Sequence, residues 1–345
     1  MTLHRTVHRL LLAGAHRASR RSVSTAPPPA ALAPLLQAVA PVRAHFDARA
    51  ILFGDRYRSG FWAIYLLSAL ATLCAVLPLA LGWDSSQHSM HPYAGLWAVC
   101  EVIVIGTVSL IYWRGHRRDW QGQWLRARTA AELCGYLPVL APLLDPSPSA
   151  EASWYERLFS GGPPLDTPAE VTELCARLEP LTSRLESAWS EPAFVRGYSR
   201  WLESLLEGQR QYHRELADRQ HSLLHRIHRI NGTLFGLTGL GALAHLWVHS
   251  LWLSLVTTFF PALGASLHGA LAQSEAYRLA ATSERIVREL AEAIARIETA
   301  QEQVLVRGMS AVPVLTGEIR AVVALLLEEH HDWHLMVRPH HLPLG

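Results

Sequence analysis

The 345-residue sequence contains no lysine, so all 31 of its basic side chains are arginine. Codon bias in a GC-rich genome accounts for such a composition. With 29 acidic residues the formal net charge is only +2, and no dense basic surface stands out, which argues against a nucleic-acid partner. Cysteine is also scarce, and Cys74, Cys100, Cys134 and Cys175 form no CxxC pair. Neither a disulfide framework nor a cysteine zinc site is therefore indicated.

Charged side chains are missing from three long stretches of the chain, and a fourth contains only one. Phe61–Gly82 has none, and it is long enough to cross a hydrocarbon core of about 30 Å. Pro92–Trp113 is interrupted only by Glu101, and Ile230–Val248 and Leu251–Ala272 form a second pair. Trp and Tyr residues lie near the ends of these runs, as in interfacial aromatic belts. The pattern predicts four membrane spans in two hairpins, in preference to four buried helices of a soluble bundle.

Arginine is absent from both short loops within the predicted hairpins, but it flanks the opposite end of every predicted span. The flanking arginines are Arg56, Arg58, Arg114, Arg117, Arg118, Arg226, Arg229 and Arg278. The positive-inside rule then places both termini and the middle segment in the cytoplasm. We therefore predict an all-α integral membrane protein with long cytoplasmic helical extensions.

Changes in composition divide the chain into four consecutive segments. Residues 1–42 contain no acidic side chain and predict a basic, disordered leader, with a transit peptide or the remnant of a linker as alternatives. Residues 43–143 hold the first hairpin and a helix that continues out of the membrane. Residues 144–228 are a proline-containing linker and cytoplasmic helices, the last of which leads directly into the third span. Residues 229–345 hold the second hairpin and amphipathic C-terminal helices.

Two polar or small-residue features within the predicted spans are candidates for function. Glu101 is expected to face a polar interior, either as a protonated acid bonded to a hydroxyl group or as one member of a carboxylate ring in an oligomeric pore. Gly232, Gly236 and Gly239 form a thin helix face that Gly241 extends, and this face serves equally well as a packing seam within the chain or as an oligomer contact.

A second oligomerisation signal lies outside the spans. Ile286, Leu290, Ile294 and Ile297 recur at helical spacing, and this apolar stripe predicts a surface that a second copy would cover. No arrangement of residues indicates a catalytic, cofactor-binding or metal site. His330 and His334 have the spacing of metal ligands on a helix, but a solvated polar end explains them as well in a chain with 19 histidines.

Several segments beside the predicted spans resemble the SLATT superfamily of two-transmembrane effector domains, here in duplicate. They are "DARAILFGDRYRSGFW" before the first span, "WQGQWLRARTAAEL" after the second and "FFPALGASLHGALAQSEAYRLAATSE" across the fourth. The matching stalk residues are Trp124, Arg128 and Glu132 in the first half and Arg278 and Glu284 in the second.

The resemblance implies an effector of a prokaryotic conflict system, which oligomerises and permeabilises the bacterial inner membrane on a cytoplasmic signal. It also implies a nucleotide sensor of the SLOG type, which residues 1–42 are too few to form, so we expect either a separate partner protein that supplies it or a coding sequence that begins upstream of Met1. A membrane-anchored scaffold or signalling adaptor, acting through its cytoplasmic helices, is the alternative. Neither reading requires an enzyme activity.

Overall fold

A computed structural model of the chain describes residues 3–11, 26–83, 92–143, 168–182, 185 and 187–337. All regular secondary structure within those residues is helical, which agrees with the predicted all-α fold class. The α-helices are α1 (Leu3–Leu11), α2 (Ala33–Ala80), α3 (Pro92–Arg117), α4 (Trp120–Leu140), α5 (Ala169–Thr182), α6 (Pro192–Ala244), α7 (Leu251–Gln273), α8 (Ala276–Arg307) and α9 (Val312–Val337).

In the part of the chain that the structure describes, three helical stretches are long and apolar enough to cross a membrane. They are Ala30–Ala80, Gly95–Arg117 and Leu251–Arg307, which overlap the predicted first and second spans almost completely and contain the predicted fourth span. The predicted third span, Ile230–Val248, is not among them, although α6 runs without a break into it as expected. Its four glycines and Asn231 lower its mean hydropathy. The predicted topology of four spans in two hairpins is therefore not confirmed.

The chain divides into two compact units whose segments alternate along the sequence. The first unit comprises Met1–Ala18, Gly54–Gln121 and Ala217–Ala281, and the second comprises Ser19–Phe53, Gly122–Leu216 and Thr282–Gly345. The bounds of α2, α6 and α8 show that each of these helices contributes residues to both units. The four consecutive segments inferred from composition stay a prediction.

The first unit has an apolar core between α2, α6 and α7, centred on Trp62, Ile227 and Ala270. Helix α1 packs against this core through Val7 and Leu11. It is also held by an ion pair from Arg5 to Asp55 of α2 at 2.7 Å. The prediction of a disordered leader over residues 1–42 is therefore wrong for residues 3–11 and for the first ten residues of α2. Only two of the nine residues of α1, Arg5 and Arg9, are charged, so the helix can bury one of its sides.

The second unit has a larger core, to which α4, α5, α6, α8 and α9 all contribute. Ile286, Leu290 and Ile297 of α8 are fully buried in it, and Ile294 packs partly buried against it. The apolar stripe of α8 is therefore covered by the chain itself. The prediction that a second copy is needed to cover this stripe is wrong, because sequence periodicity reveals an apolar face but not its partner.

The carboxyl end of α4 is fixed by side chains from other helices of the second unit. The Tyr198 hydroxyl, fully buried, donates a hydrogen bond of 2.7 Å to the Val139 carbonyl oxygen. The Trp189 indole N–H donates to the Pro142 carbonyl, and the Arg320 guanidinium donates to the Leu143 carbonyl. The last carbonyl groups of a helix have no partner within it, so these three bonds satisfy groups that burial would otherwise destabilise.

Both apolar helices that end in the first unit are followed by the same kind of turn. Asp119, between α3 and α4, has φ +43°, and Glu275, between α7 and α8, has φ +54°. This left-handed conformation ends each helix and redirects the chain, so the prediction of one continuous helix through residues 114–137 is wrong. Each half of the chain thus contains, in order, a long helix, an apolar helix, a left-handed acidic residue and a further helix.

The buried stripe of α8 gives a direct test of the second unit. Leu290→Ala should lower its stability by about 2–5 kcal/mol, because the substitution leaves a cavity in a closed core. Leu305→Ala is the matched control on the same helix, since Leu305 is 56% exposed, and it should change stability by less than about 0.5 kcal/mol. Thermal unfolding of the detergent-solubilised protein measures both. Equal melting temperatures for the two variants would contradict the packing described.

Candidate functional site

Glu101 lies on the one face of α3 that contacts the rest of the first unit. Residues on this face are half-buried. Their neighbours on the rest of the helix are exposed, for example Val102 and Ile103, with 69% and 61% of their surface accessible. The half-buried residues, which we call the α3 contact stripe, are Trp97, Cys100, Glu101, Val104, Thr107, Val108 and Ile111. Their spacing of three or four residues is that of a single helix face.

The α3 contact stripe faces α2. The buried Cys74 thiol of α2 interacts electrostatically with Cys100 and Glu101. Towards the other end of the stripe, the Ile111 side chain lies 3.7 Å from the position of a Cβ atom on Gly60. Glu101 is therefore half-buried on the side of α3 that faces α2, and the polar interior expected around it stays a prediction.

None of the hydroxyl groups predicted to hold the Glu101 carboxyl group does so. Ser68 and Thr107 donate at 2.8 Å to main-chain carbonyls one turn earlier on their own helices, and Thr72 does the same at 3.3 Å. Within the described residues Glu101 forms no hydrogen bond and no ion pair. The expectation of a hydroxyl partner is thus wrong, because hydroxyls in apolar helices bond preferentially to their own backbone. The carboxyl group is left to water or to a group outside the described residues.

Three of the four glycines on the predicted packing face have open space beside them among the described residues. A Cβ atom added at Gly232, Gly236 or Gly239 would have no protein atom within 4 Å. This rules out an intrachain packing seam at these three positions among the described residues. The oligomer contact, which was the other interpretation, stays a prediction.

Two other glycines do provide the close approach of α6 and α7. A Cβ atom at Gly241 would lie 3.2 Å from the Val256 side chain, and one at Gly264 would lie 3.4 Å from the Phe235 ring. Both distances are close enough that a larger side chain would push the helices apart. Sequence reasoning placed Gly241 on one face with Gly232, Gly236 and Gly239, but it did not reveal that Gly241 is the one of these four that meets α7.

Asn231 is a polar residue of α6 that sequence reasoning missed. Only 9% of its surface is exposed, and its Oδ1 atom is buried without a hydrogen-bond partner in the described chain. The same atom lies 3.6 Å from the Cβ position of Gly264 on α7. A buried amide oxygen without a partner is uncommon in folded proteins. The only sequence signal was an asparagine two positions after Arg229, at the start of the apolar part of α6.

Polar contacts join the helices where the charge-free segments begin and end. The Gln273 side-chain amide donates to the Tyr57 hydroxyl at 2.9 Å, joining α7 to α2. The His228 Nε2 atom and the Tyr277 hydroxyl lie 2.6 Å apart and join α6 to α8. On α1, burial against the core, with Arg58 nearby, lowers the pKa of His8 to about 4, so this side chain is neutral at pH 7. These contacts fix the helices of the first unit beside its apolar segments.

The family-like residues of α4 form part of an ion-pair cluster in the second unit. Trp124 is buried, and Arg128 forms a salt bridge with Glu132 one turn later. Arg128 also lies 4.0 Å from the Asp47 carboxylate of α2. Burial disfavours the charged guanidinium, but Glu132 and three further groups outweigh this effect and raise the pKa of Arg128. The cluster connects α4 to α2 and contains no catalytic arrangement.

The corresponding residues of α8 are arranged differently. Arg278 is largely exposed and lies 3.7 Å from Glu275, the left-handed residue before the helix. Arg278 lies three positions after its left-handed residue, Glu275. Its counterpart by sequence spacing is Arg126, six residues before Glu132, and Arg126 lies seven positions after Asp119. The two halves therefore share the order of their elements, but the Arg–Glu spacing does not align at their turns. Glu284 lies in the part of α8 that belongs to the second unit.

Other titratable side chains do not assemble into a reactive site. Among the described residues no three or more His, Cys, Asp or Glu side chains are grouped as metal ligands would be. Burial raises the pKa of Cys134 to about 11 and that of Cys175 to about 12, so both thiols are protonated and unreactive at neutral pH. The side chains of His330 and His334 lie outside the described residues.

No protein-family model matches this chain, and neither the curated proteins nor the solved structures contain a match to it.

Two matched substitutions on α6 test how this helix packs against α7. Gly241→Leu should lower the melting temperature of the detergent-solubilised protein, because the new side chain overlaps Val256 of α7 and such overpacking costs about 1–3 kcal/mol. Gly236→Leu enters open space and should leave the melting temperature unchanged. If Gly236→Leu instead lowers the mass of the particle in native mass spectrometry, the Gly232–Gly239 face is an oligomer contact. Equal destabilisation by both substitutions would contradict the arrangement of α6 and α7.

Proposed function

We propose that this chain is a membrane effector of a prokaryotic conflict or defence system, which oligomerises and permeabilises the bacterial inner membrane on a cytoplasmic signal. The observation that carries the proposal is the surroundings of Glu101. This residue lies on a helix long and apolar enough to cross a membrane, facing α2, and it has no hydrogen-bond or ion-pair partner among the described residues.

A carboxyl group inside a bilayer costs at least about 2.5 kcal/mol when nothing compensates it. Water or a second copy of the chain would relieve this cost, and both are available at the centre of an oligomer. Glu101 residues from several copies would then form a ring of carboxylates, an arrangement that favours the passage of cations.

The proposed topology retains four spans in two hairpins. Residues 230–274 contain no Asp, Glu or Arg, and they are bounded by Arg229 and Glu275. At 1.5 Å per residue this length is enough for two helices to cross a core of about 30 Å. The short connection between α6 and α7 and the exposed apolar side chains of α6, such as Leu240 at 66%, support a pair of spans here. The arginine distribution then puts both termini in the cytoplasm.

The stimulus would reach the chain from a separate protein. The resemblance to SLATT domains around Trp124, Arg128, Glu132, Arg278 and Glu284 supports a nucleotide-sensing partner of the SLOG type. The repeated order of long helix, apolar helix, left-handed acidic residue and further helix supports the duplication that this resemblance implies.

A second candidate is a membrane-anchored scaffold or signalling adaptor. It is favoured by the extensive core of the second unit, which buries Tyr198, Leu174 and Leu315 completely and gives the chain a well-packed helical unit apart from its apolar helices. A scaffold would act through this unit and would tolerate Glu101→Leu, whereas a cation-conducting effector would not.

Ion flux through liposomes that contain the purified protein tests the role of Glu101. Over a range of protein-to-lipid ratios, which drives assembly by mass action, we expect cation leak from the native protein. Glu101→Gln should reduce this leak at least about fivefold and lower its preference for cations over anions, because the ring loses its charge. Glu101→Asp should retain the preference.

Thr107→Val is the matched control for this experiment, since Thr107 lies on the same α3 contact stripe and its hydroxyl is bonded to its own helix. It should conduct as the native protein does. If native protein and Glu101→Gln are equally leaky or equally tight at every ratio, the carboxylate ring is wrong.

Reporter fusions test the topology separately from the flux. A reporter that is active only in the cytoplasm should be active at Gly345 and inactive in the Ser85–Met90 loop, which itself lies outside the described residues. The arginines beside the apolar helices are the reason for this expectation. An externally located C-terminus would exclude the proposed orientation.

A further inference from the structure

We propose that helix α1 is a releasable latch, which lies against Trp62 of the first unit at neutral pH and leaves it on acidification while the rest of the unit stays folded. A helix of nine residues is too short to be stable in water by itself. Helix α1 therefore keeps its structure only while it is docked. Its release is also its unfolding, and hydrogen exchange can detect that step.

The docked helix is incompletely packed. Val7 and Leu11 lie against the apolar core of the first unit but are only partly buried there. Arg5 pairs with Asp55 of α2 at 2.7 Å, but more than half of the Arg5 side chain is exposed, and ion pairs of this kind stabilise little. Next to Leu10 and Leu11, a cavity of about 430 Å³ lies between α1 and α6. Release of α1 therefore gives up less apolar contact than the loss of a fully buried helix would.

Docking also leaves a polar group of the core unsatisfied. Trp62 is fully buried, and its indole N–H has no hydrogen-bond acceptor among the described residues. The His8 ring of α1 meets the Trp62 ring in a T-shaped arrangement, with the ring centroids 6.1 Å apart. A buried N–H without an acceptor costs free energy that contact with water would relieve. Departure of α1 opens this side of Trp62 to water, which offsets part of the cost of release.

His8 makes the docked state sensitive to pH. Burial, with Arg58 nearby, lowers the pKa of this side chain from 6.5 to about 4. Helix α7 contributes apolar side chains to the core at this point, and the charged side chains beside α1 are Asp55 and Arg58 of α2 and Arg226 and Arg229 of α6. Asp55 is already paired with Arg5, and Arg58 opposes a positive charge on His8. The imidazole must therefore stay neutral for α1 to remain docked.

The difference in pKa sets the direction and the pH range of release. A released His8 is in water and has its ordinary pKa of 6.5, so docking is strongest above this pH and weakens as the pH falls towards about 4. At pH 5 a released His8 is protonated in a ratio of about 30 to 1, whereas a docked His8 stays mostly neutral. Docking is therefore about 30-fold weaker at pH 5 than at pH 7.5. Under the proposed topology α1 lies in the cytoplasm, so acid on that side of the membrane would release it.

Hydrogen–deuterium exchange of the full-length, detergent-solubilised protein, read by mass spectrometry, tests the latch. After correction for the intrinsic effect of pH on exchange, the protection of peptides from residues 3–11 should fall about 30-fold between pH 7.5 and pH 5. Peptides of α6 around Leu223 and Ile227, which are buried in the same core, should keep their protection. A fall of less than about threefold in α1 would overturn the proposal. An equal fall in α6 would also overturn it, because the whole unit would then be opening.

A pair of histidine substitutions tests whether His8 drives the release. His8→Phe keeps an aromatic ring beside Trp62 but cannot take up a proton, so the protection of α1 should differ less than about threefold between the two pH values. This ratio is informative even if the substitution changes the protection at both values. His249→Phe is the matched control, because His249 is an exposed histidine of the same unit, and it should retain the full pH dependence. Loss of the pH dependence in both variants, or in neither, would overturn the proposal.

These measurements are independent of ion conduction. A normal ion leak together with pH-independent protection of α1 overturns the latch and leaves the proposed function standing. A release of α1 that depends on His8, in a protein that never conducts, supports the latch and counts against the proposed function.

Discussion

Hydrogen bonding of the main chain within single helices is the interaction on which the rest of this molecule depends. Helices α2 and α6 are 48 and 53 residues long, and much of their length has apolar surroundings. An unpaired N–H or C=O group there would cost several kcal/mol, so the helices must remain intact through these regions. Hydroxyl groups such as those of Ser68, Thr107 and Thr233 also bond back to their own helix. Glu101 is left without such a bond, and this sets it apart.

Much of the fold could be predicted from sequence because apolar helices leave a strong signal. The run at Phe61 and the continuity of α6 were both apparent. The left-handed turns were not, because Asp119 and Glu275 are neither glycine nor asparagine and carry no local signal for that conformation. Periodicity also exposed the stripe at Leu290 without revealing that it is buried in a core to which α4, α5, α6 and α9 also contribute. Partners distant in sequence are set by tertiary packing, which a local pattern does not contain.

The candidate site was predicted less completely than the fold. Glu101 was evident as a carboxylate in an apolar run, but its position beside Cys74 depends on how α2 and α3 pack. Gly236 and Gly241 are indistinguishable by composition, and only the rotation of α6 decides that Gly241 meets α7. The packing of α1 against the first unit was beyond prediction, because its basic composition resembles that of a disordered leader. The residue types in the sequence indicated which interactions are possible. The rotation of each helix about its axis determines which of those residues come into contact.

The glycines in the apolar part of α6 have a consequence for the insertion of the chain into a membrane during synthesis. This segment is less hydrophobic than the other three, and recognition by the insertion machinery depends on summed hydrophobicity. Under the proposed topology it would enter the bilayer poorly by itself as it leaves the ribosome. Helix α7 follows after only a few residues and packs against it at Gly241 and Gly264. The apolar part of α6 and helix α7 would therefore insert into the bilayer together, as one preassembled hairpin. If synthesis stopped before α7 was made, the apolar part of α6 would not insert.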